Sequence, residues 1–224
     1  MEELKLLVCS DLHGSEKASD MISEVATRGG FDAVVVCGDF TTYGSVQYVR
    51  DLAASVGTRM LGVPGNCDTA DEVAALEKLG SSLHGRSVSV GGWGFFGFGG
   101  GPPTAGNMPF EVDEREIQIG LALVARRGGV MVTHAPALGM NDLGHNGRRM
   151  GLRGILEVAR EFRPRLALSG HIHEARGFCE SEGTVFVNPG PAKGGYFAIV
   201  TIGQGVSVSM HGPDVRTETE RTTF

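Results

Sequence analysis

The chain has 224 residues and a net charge of −6, with a pI near 5.6. That length suits one large domain, or one domain with a small appendage, and 41% hydrophobic against 21% charged residues is enough for a packed core. The acidic balance argues against a nucleic-acid partner, which a basic face would serve, and no apolar run reaches the roughly eighteen residues of a membrane span.

The 35 glycines follow no three-residue period, so they mark tight turns and close backbone approaches. Met1-Glu2-Glu3-Leu4-Lys5 has no signal-peptide pattern. The four cysteines lack framework spacing, and Cys9 and Cys37 sit in apolar runs, as buried free thiols do. A reduced, cytoplasmic protein is expected.

In chain order, Leu4 to Val8 reads as a strand ending in Cys9-Ser10-Asp11-Leu12-His13-Gly14. Ser15 is placed to cap a helix whose Ala18, Met21, Ile22 and Val25 share one face. Phe31 to Cys37 is a strand too continuously apolar for a one-sided sheet, and it runs into Gly38-Asp39. A helix is predicted over 45–55. The third strand, Thr58 to Val63, ends in Pro64-Gly65-Asn66-Cys67-Asp68, and Thr69 to Glu72 has the form of a capping box for a helix over 70–79. This alternation predicts parallel strands with right-handed crossovers.

The middle changes character. Ser87 to Val90 and Phe95 to Phe98, joined through Gly91-Gly92, read as an antiparallel hairpin. Residues 99–110 form a Gly- and Pro-rich loop, a candidate substrate lid. A helix is predicted over 113–126, then a strand from Val130 to Thr133 ending in His134. A second long loop, 137–150, carries His145, Arg148 and Arg149. The next helix holds Leu152, Ile155, Leu156 and Ala159 and stops at Pro164. Leu166 to Leu168 then leads into Gly170-His171-Ile172-His173, and strands follow at 184–187, 196–202 and 206–210. A single domain is expected over 1–224, with a polar, frayed tail at about 212–224.

Asp11, His13, Asp39, Asn66, His134, His171 and His173 all follow strand ends, the edge where open α/β sheets bind ligands. Two carboxylates, one amide and four imidazoles suit Mn, Fe, Zn, Co or Ni better than Ca or Mg. Seven ligands exceed one tetrahedral ion and fit a pair about 3.5 Å apart. Two dications against two carboxylates leave about +2, attractive to phosphate, and Asn66 ligates without cancelling more charge.

These motifs, Asp11-Leu12-His13, Gly38-Asp39, Gly65-Asn66-Cys67-Asp68, His134 and Gly170-His171-Ile172-His173, match in order the five blocks of the calcineurin-like metallophosphoesterases. The chain resembles the compact prokaryotic branch related to the Icc cyclic-nucleotide phosphodiesterases, and Asn188-Pro189-Gly190-Pro191 strengthens the likeness. The resemblance implies an α/β fold, a four-layer α/β/β/α sandwich with mixed sheets. It implies one metal on Asp11, His13, Asp39 and His173, and a second on Asn66, His134 and His171, with Asp39 bridging. Two divalent transition-metal ions are expected, manganese first, with iron, zinc, nickel or cobalt as alternatives. A metal-bridging hydroxide would attack phosphorus in line.

One position departs from the family. The third block usually carries histidine where this chain has Cys67, and a thiol with a pKa of about 8.5 substitutes weakly for an imidazole that protonates a leaving oxygen. His145 is the candidate replacement donor. Asp68 either orients His13 or caps the next helix. Arg148 and Arg149 are candidates for a phosphate clamp beside Asn66, or are solvated loop residues. The reading is a phosphodiesterase for a small phosphoester. Its alternatives are a phosphomonoesterase using the same site, or a degenerate member of the fold acting as a protein-binding scaffold. A homo-oligomer is left open.

Overall fold

The computed structural model describes residues 2–213 and 218–223. Two six-stranded mixed sheets face each other. The first begins with β1 (Leu4–Cys9), β2 (Ala33–Val36) and β3 (Met60–Gly62), separated by α1 (Glu16–Gly29) and α2 (Val46–Ser55) and followed by α3 (Ala70–Lys78). These three strands are parallel, as the alternation predicts.

The second sheet is built from β4 (Arg86–Val90), β5 (Trp93–Phe98), β6 (Val130–Thr133), β7 (Leu166–Leu168), β8 (Gly177–Ser181) and β9 (Thr184–Asn188), with α4 (Glu114–Val124) after β5 and α5 (Arg153–Phe162) after β6. Strands β5, β6, β7 and β9 run parallel, and β4 and β8 close the edges antiparallel. The chain then returns to the first sheet. β10 (Phe197–Ile202) lies antiparallel to β1, and β11 (Gly205–His211) and β12 (Glu218–Thr223) extend that side.

Period two along each strand feeds two cores. Leu6, Val8, Val35 and Val208 meet Phe95, Val132, Leu168 and Val187 between the sheets. Leu7, Cys9, Val34 and Val36 turn outward onto Ile22, Leu52 and Leu76 of the first three helices. Phe96, Met131 and Phe186 turn the other way onto Leu121 and Ile155 of α4 and α5. Burial on both faces explains the continuously apolar strands, and the result is the expected four-layer sandwich.

The helix signals have physical counterparts. Ser15 accepts from the Ala18 amide at 3.2 Å, and Thr69 and Glu72 form the capping box of α3. Two expectations change. Where a frayed tail at about 212–224 was expected, residues 218–223 form β12, because the free edge of β11 accepts a polar strand as readily as an apolar one; residues 214–217 lie outside the described residues. β8 has no counterpart in the predicted elements, since its half-buried Gly-Phe-Cys-Glu-Ser pattern lacks a clean apolar alternation.

Candidate metal centre

The parallel strands end at one edge shared by both sheets. β1 delivers Asp11 and His13, β2 delivers Asp39, and β3 delivers Asn66. From the second sheet, β6 delivers His134 and β7 delivers His171 and His173. Asp11, His13 and His173 form one group of mutually close donor atoms, and Asp11, Asp39 and His134 form another. Asp39 also joins His13 and Cys67 in a third.

The backbone is bent hard to achieve this. Asp11, His13, Asp39 and His171 adopt φ of 56°, 50°, 51° and 67°, a region side chains rarely occupy and one that marks functional sites when the surroundings enforce it. Glycines give the room. A Cβ on Gly65 would lie 2.0 Å from Asp39 Oδ1, and one on Gly38 would lie 2.5 Å from His134 Nδ1.

Second partners set each imidazole. His13 Nδ1 meets Thr42 Oγ1 at 2.8 Å; with the ring donating to that hydroxyl, Nε2 carries a lone pair. That Nε2 is buried with no hydrogen-bond partner, 3.8 Å from Asp11 Oδ1 and 3.7 Å from Asp39 Oδ2. A lone pair and two carboxylates converge there at distances too long for hydrogen bonds.

His134 donates from Nδ1 to the Cys37 carbonyl at 2.7 Å. Its Nε2 then faces Asn66 Oδ1 at 2.9 Å and Asp39 Oδ1 at 3.5 Å. The Asn66 amide donates from Nδ2 to Cys67 Sγ, which turns Oδ1 toward the imidazole. With the His134 ring neutral, three acceptors face one point, an arrangement that a cation between them would satisfy. The donor set therefore fits divalent transition metals, and the buried lone pairs are what such ions would satisfy.

Burial and the carboxylates act on the imidazoles in opposite directions. Burial pushes His171 down to about 4, so its ring is neutral near pH 7 and free to ligate. Burial would also lower His134, but the Asp39 and Asp11 charges outweigh it and the ring rises; a metal ion binding there would take the place of that proton. Burial would raise Asp11, yet its hydrogen bond with His173 and the neighbouring imidazoles hold it well below the carboxylate range. His173 Nε2 lies 3.1 Å from Asp11 Oδ1.

Asp68 is fully buried and accepts from the amides of Phe40, Thr41 and Gly65. It fastens the Asp39 loop to the Asn66 loop, and burial followed by the Asp39 charge push it up to about 7. Cys67 is buried; its amide donates to Asp39 Oδ1 at 2.8 Å, and desolvation ahead of the Asp39 charge pushes its thiol far up.

The loop candidates lie further out. The His145 side chain is 87% exposed, its ring 3.7 Å from Glu174 Oε2, beside His173 in sequence. Arg149 spends Nη1 on Asp142 at 2.7 Å and on the Gly139 carbonyl, inside its own loop. Arg148 is exposed, and its amide donates to Asn146. The 99–110 loop reaches the centre directly, since the Phe110 amide donates to the Asn66 carbonyl at 3.0 Å.

Sequence reasoning missed Thr42 and the Cys37 carbonyl. Both act between segments far apart in the chain, 29 and 97 residues from the histidines they meet, so no local pattern marks them. Asn188 is buried and donates to the Ile172 carbonyl at 2.9 Å, bracing the His171–His173 segment.

The family model of the calcineurin-like phosphoesterase superfamily domain matches residues 4–205. An uncharacterized protein of Methanocaldococcus jannaschii is 31% identical over 197 residues, covering 84% of this chain and 88% of its own. A dimetal phosphatase from Danio rerio superposes with a TM-score of 0.62 at 11% identity, covering 99% of each chain. A novel archaeal phosphodiesterase superposes at 0.53 with 15% identity, covering 99% of this chain and 100% of its own.

Proposed function

The chain belongs to the calcineurin-like phosphoesterase superfamily, and from that premise we propose that it is a dinuclear metal-dependent phosphodiesterase for a small phosphodiester. The observation that carries this reading is the convergence of Asp11, His13, Asp39, Asn66 and His134 on shared points, with Asp39 in more than one donor group. Asp11, His13, Asp39 and His173 would hold one ion; Asn66, His134, His171 and the same Asp39 would hold the other. Two divalent ions, manganese first, supply such a centre with a nucleophilic water at neutral pH and with positive charge against the phosphate.

The chain's own groups do the rest. The Cys37 carbonyl, which can only accept, keeps a proton on His134 Nδ1 and turns Nε2 inward, and Thr42 orients the His13 ring so that its Nε2 also points inward. Asp68 holds the two ligand loops in register, a positioning part. Cys67 keeps its proton, because burial and the Asp39 carboxylate oppose the thiolate. It is a poor acid toward a basic leaving oxygen, which favours diesters with stable leaving groups over alkyl monoesters. His145, tethered to Glu174, is the proposed proton donor, and Arg148 the proposed outer phosphate contact.

The test is hydrolysis of bis(p-nitrophenyl) phosphate against p-nitrophenyl phosphate by metal-stripped protein titrated with Mn²⁺, with Asp39→Asn as the contamination control. Metal-dependent turnover favouring the diester supports the reading, and a monoester preference replaces it with a phosphomonoesterase. Stoichiometric metal binding without turnover on either ester, across Mn²⁺, Ni²⁺ and Zn²⁺, moves the reading to a binding scaffold.

A further inference from the structure

A cavity of about 390 Å³ opens between the start of α1 and the short turn Ala192–Gly194. Its walls include Met21, Ala192 and Pro213, and Lys17 and Lys193 stand at its edge. Both walls adjoin the segment that carries Asp11 and His13. Lys17 lies one helical turn beyond His13, on the helix that Ser15 caps. The opposite turn is fastened to the exit of β1: the Ala192 amide donates to the Ser10 carbonyl at 2.8 Å, and the Lys193 amide to the Asp11 carbonyl at 3.2 Å. The cavity is thus rigidly tied to the strand end that carries Asp11 and His13.

Its chemistry is mixed. The walls are mostly apolar, and the thioether of Met21 suits an organic ring system. The volume falls within the range of small-molecule pockets. Both lysines are exposed, and among the described residues the ion pairs of basic side chains with acids engage Arg28, Arg86, Arg149 and Arg160 rather than either lysine. In a chain of net charge −6, two ammonium groups over an apolar cleft are a local exception, even with Glu16 and Asp20 on the same helix.

Resting on the phosphodiesterase reading, we propose that this cavity receives the second ester arm of the substrate, and that this arm has an organic body and ends in a phosphate of its own. The body lies against Met21, Ala192 and Pro213, and the terminal phosphate meets Lys17 and Lys193, which act as point charges. The substrate class is then a diester that is phosphorylated a second time, beyond the scissile bond.

The experiment compares thymidine 5′-(p-nitrophenyl phosphate) with the same diester bearing a 3′-phosphate, so that the scissile bond and the leaving group are identical. The wild type is expected to prefer the 3′-phosphorylated diester in kcat/KM, mainly through KM. Lys17→Gln and Lys193→Gln should each lower that preference roughly fivefold, the scale of an exposed ion pair, and the double variant should bring it near one. No preference in the wild type, or variants that slow both diesters equally, would overturn the subsite. If no ester is turned over, the phosphodiesterase reading fails, but the cavity is still decided by calorimetric titration. Thymidine 3′,5′-bisphosphate should then bind more tightly than thymidine 5′-phosphate, with the difference lost in the double variant. Equal binding of the two nucleotides would overturn the proposal.

Discussion

Asp39 is the residue on which both proposed ion positions depend. Its Oδ1 lies 3.5 Å from His134 Nε2 and its Oδ2 lies 3.7 Å from His13 Nε2, so one carboxylate faces both imidazoles. Asp39→Asn keeps the shape and removes the charge. Turnover should fall by more than about a hundredfold, since even outer-shell losses reach that scale, and calorimetry should show weaker binding of both ions. Full turnover with two ions bound would refute the bridging assignment. Cys67 makes a second prediction. Its thiol is pushed far up by burial, so it cannot match an imidazole as proton donor. Cys67→His should accelerate diesters with basic leaving groups most, flattening the dependence of rate on leaving-group pKa; equal effects on activated and unactivated diesters would exclude a leaving-group role. The ligand types were legible because each follows a strand and sits near a glycine or a turn. Thr42 was not, because its bond to His13 spans the space between two loops and leaves no trace in local pattern.

The elements deliver these residues through strained exits, and the glycines beside them are the weakest points. Gly65→Ala would put a Cβ 2.0 Å from Asp39 Oδ1 and 2.3 Å from its backbone nitrogen. The nitrogen cannot yield as a flexible side chain would, so the loops must part. A stability loss of about 1–3 kcal/mol in urea unfolding, with weaker metal binding, is expected; unchanged metal affinity would show that the loops separate without moving Asp39. The 99–110 loop has a different fastening. His84 Nδ1 accepts from the Gly99 amide at 3.1 Å, and its ring packs 4.2 Å from Phe98. Burial holds this imidazole below its ordinary value of 6.5. The unfolded chain therefore binds more protons just below pH 6.5, and the contribution to stability, complete above that pH, is lost as pH falls toward the lowered folded pKa. His84→Gln should flatten the fall in stability from pH 8 to 5 measured by chemical denaturation; a parallel fall would remove His84 as the cause. Helices with a cap and one apolar face were readable in the chain. β8 and β12 were not, because edge strands are specified by the partner they pair with rather than by their own alternation.

At the scale of the molecule, strand order was the least legible feature. Nothing local says that β10, about two hundred residues along, returns to pair with β1; only the backbone donors and acceptors along the buried second edge of β1 demand some partner there. That return makes one molecule of two sheets. The first contributes Asp11, His13, Asp39 and Asn66, and the second contributes His134, His171 and His173. Ions held by both sets would bind across the inter-sheet edge. Without them, buried carboxylates and inward lone pairs face each other with only partial compensation, as the unpartnered His13 Nε2 records. Metal binding must then stabilise the whole domain, not just the loops, because the ligands are absent as a set from the unfolded chain. At free metal about a hundredfold above Kd, one ion contributes about 2.7 kcal/mol, which in a domain of this size raises Tm by roughly 5–10 °C. Chelation should lower Tm by that amount and Mn²⁺ should restore it. Asp39→Asn should show little of the shift, since its apo form already lacks the shared charge. A wild-type Tm indifferent to chelator and metal would mean that the two halves of the site do not share an ion, and that the sheets are held together by the apolar core between them alone.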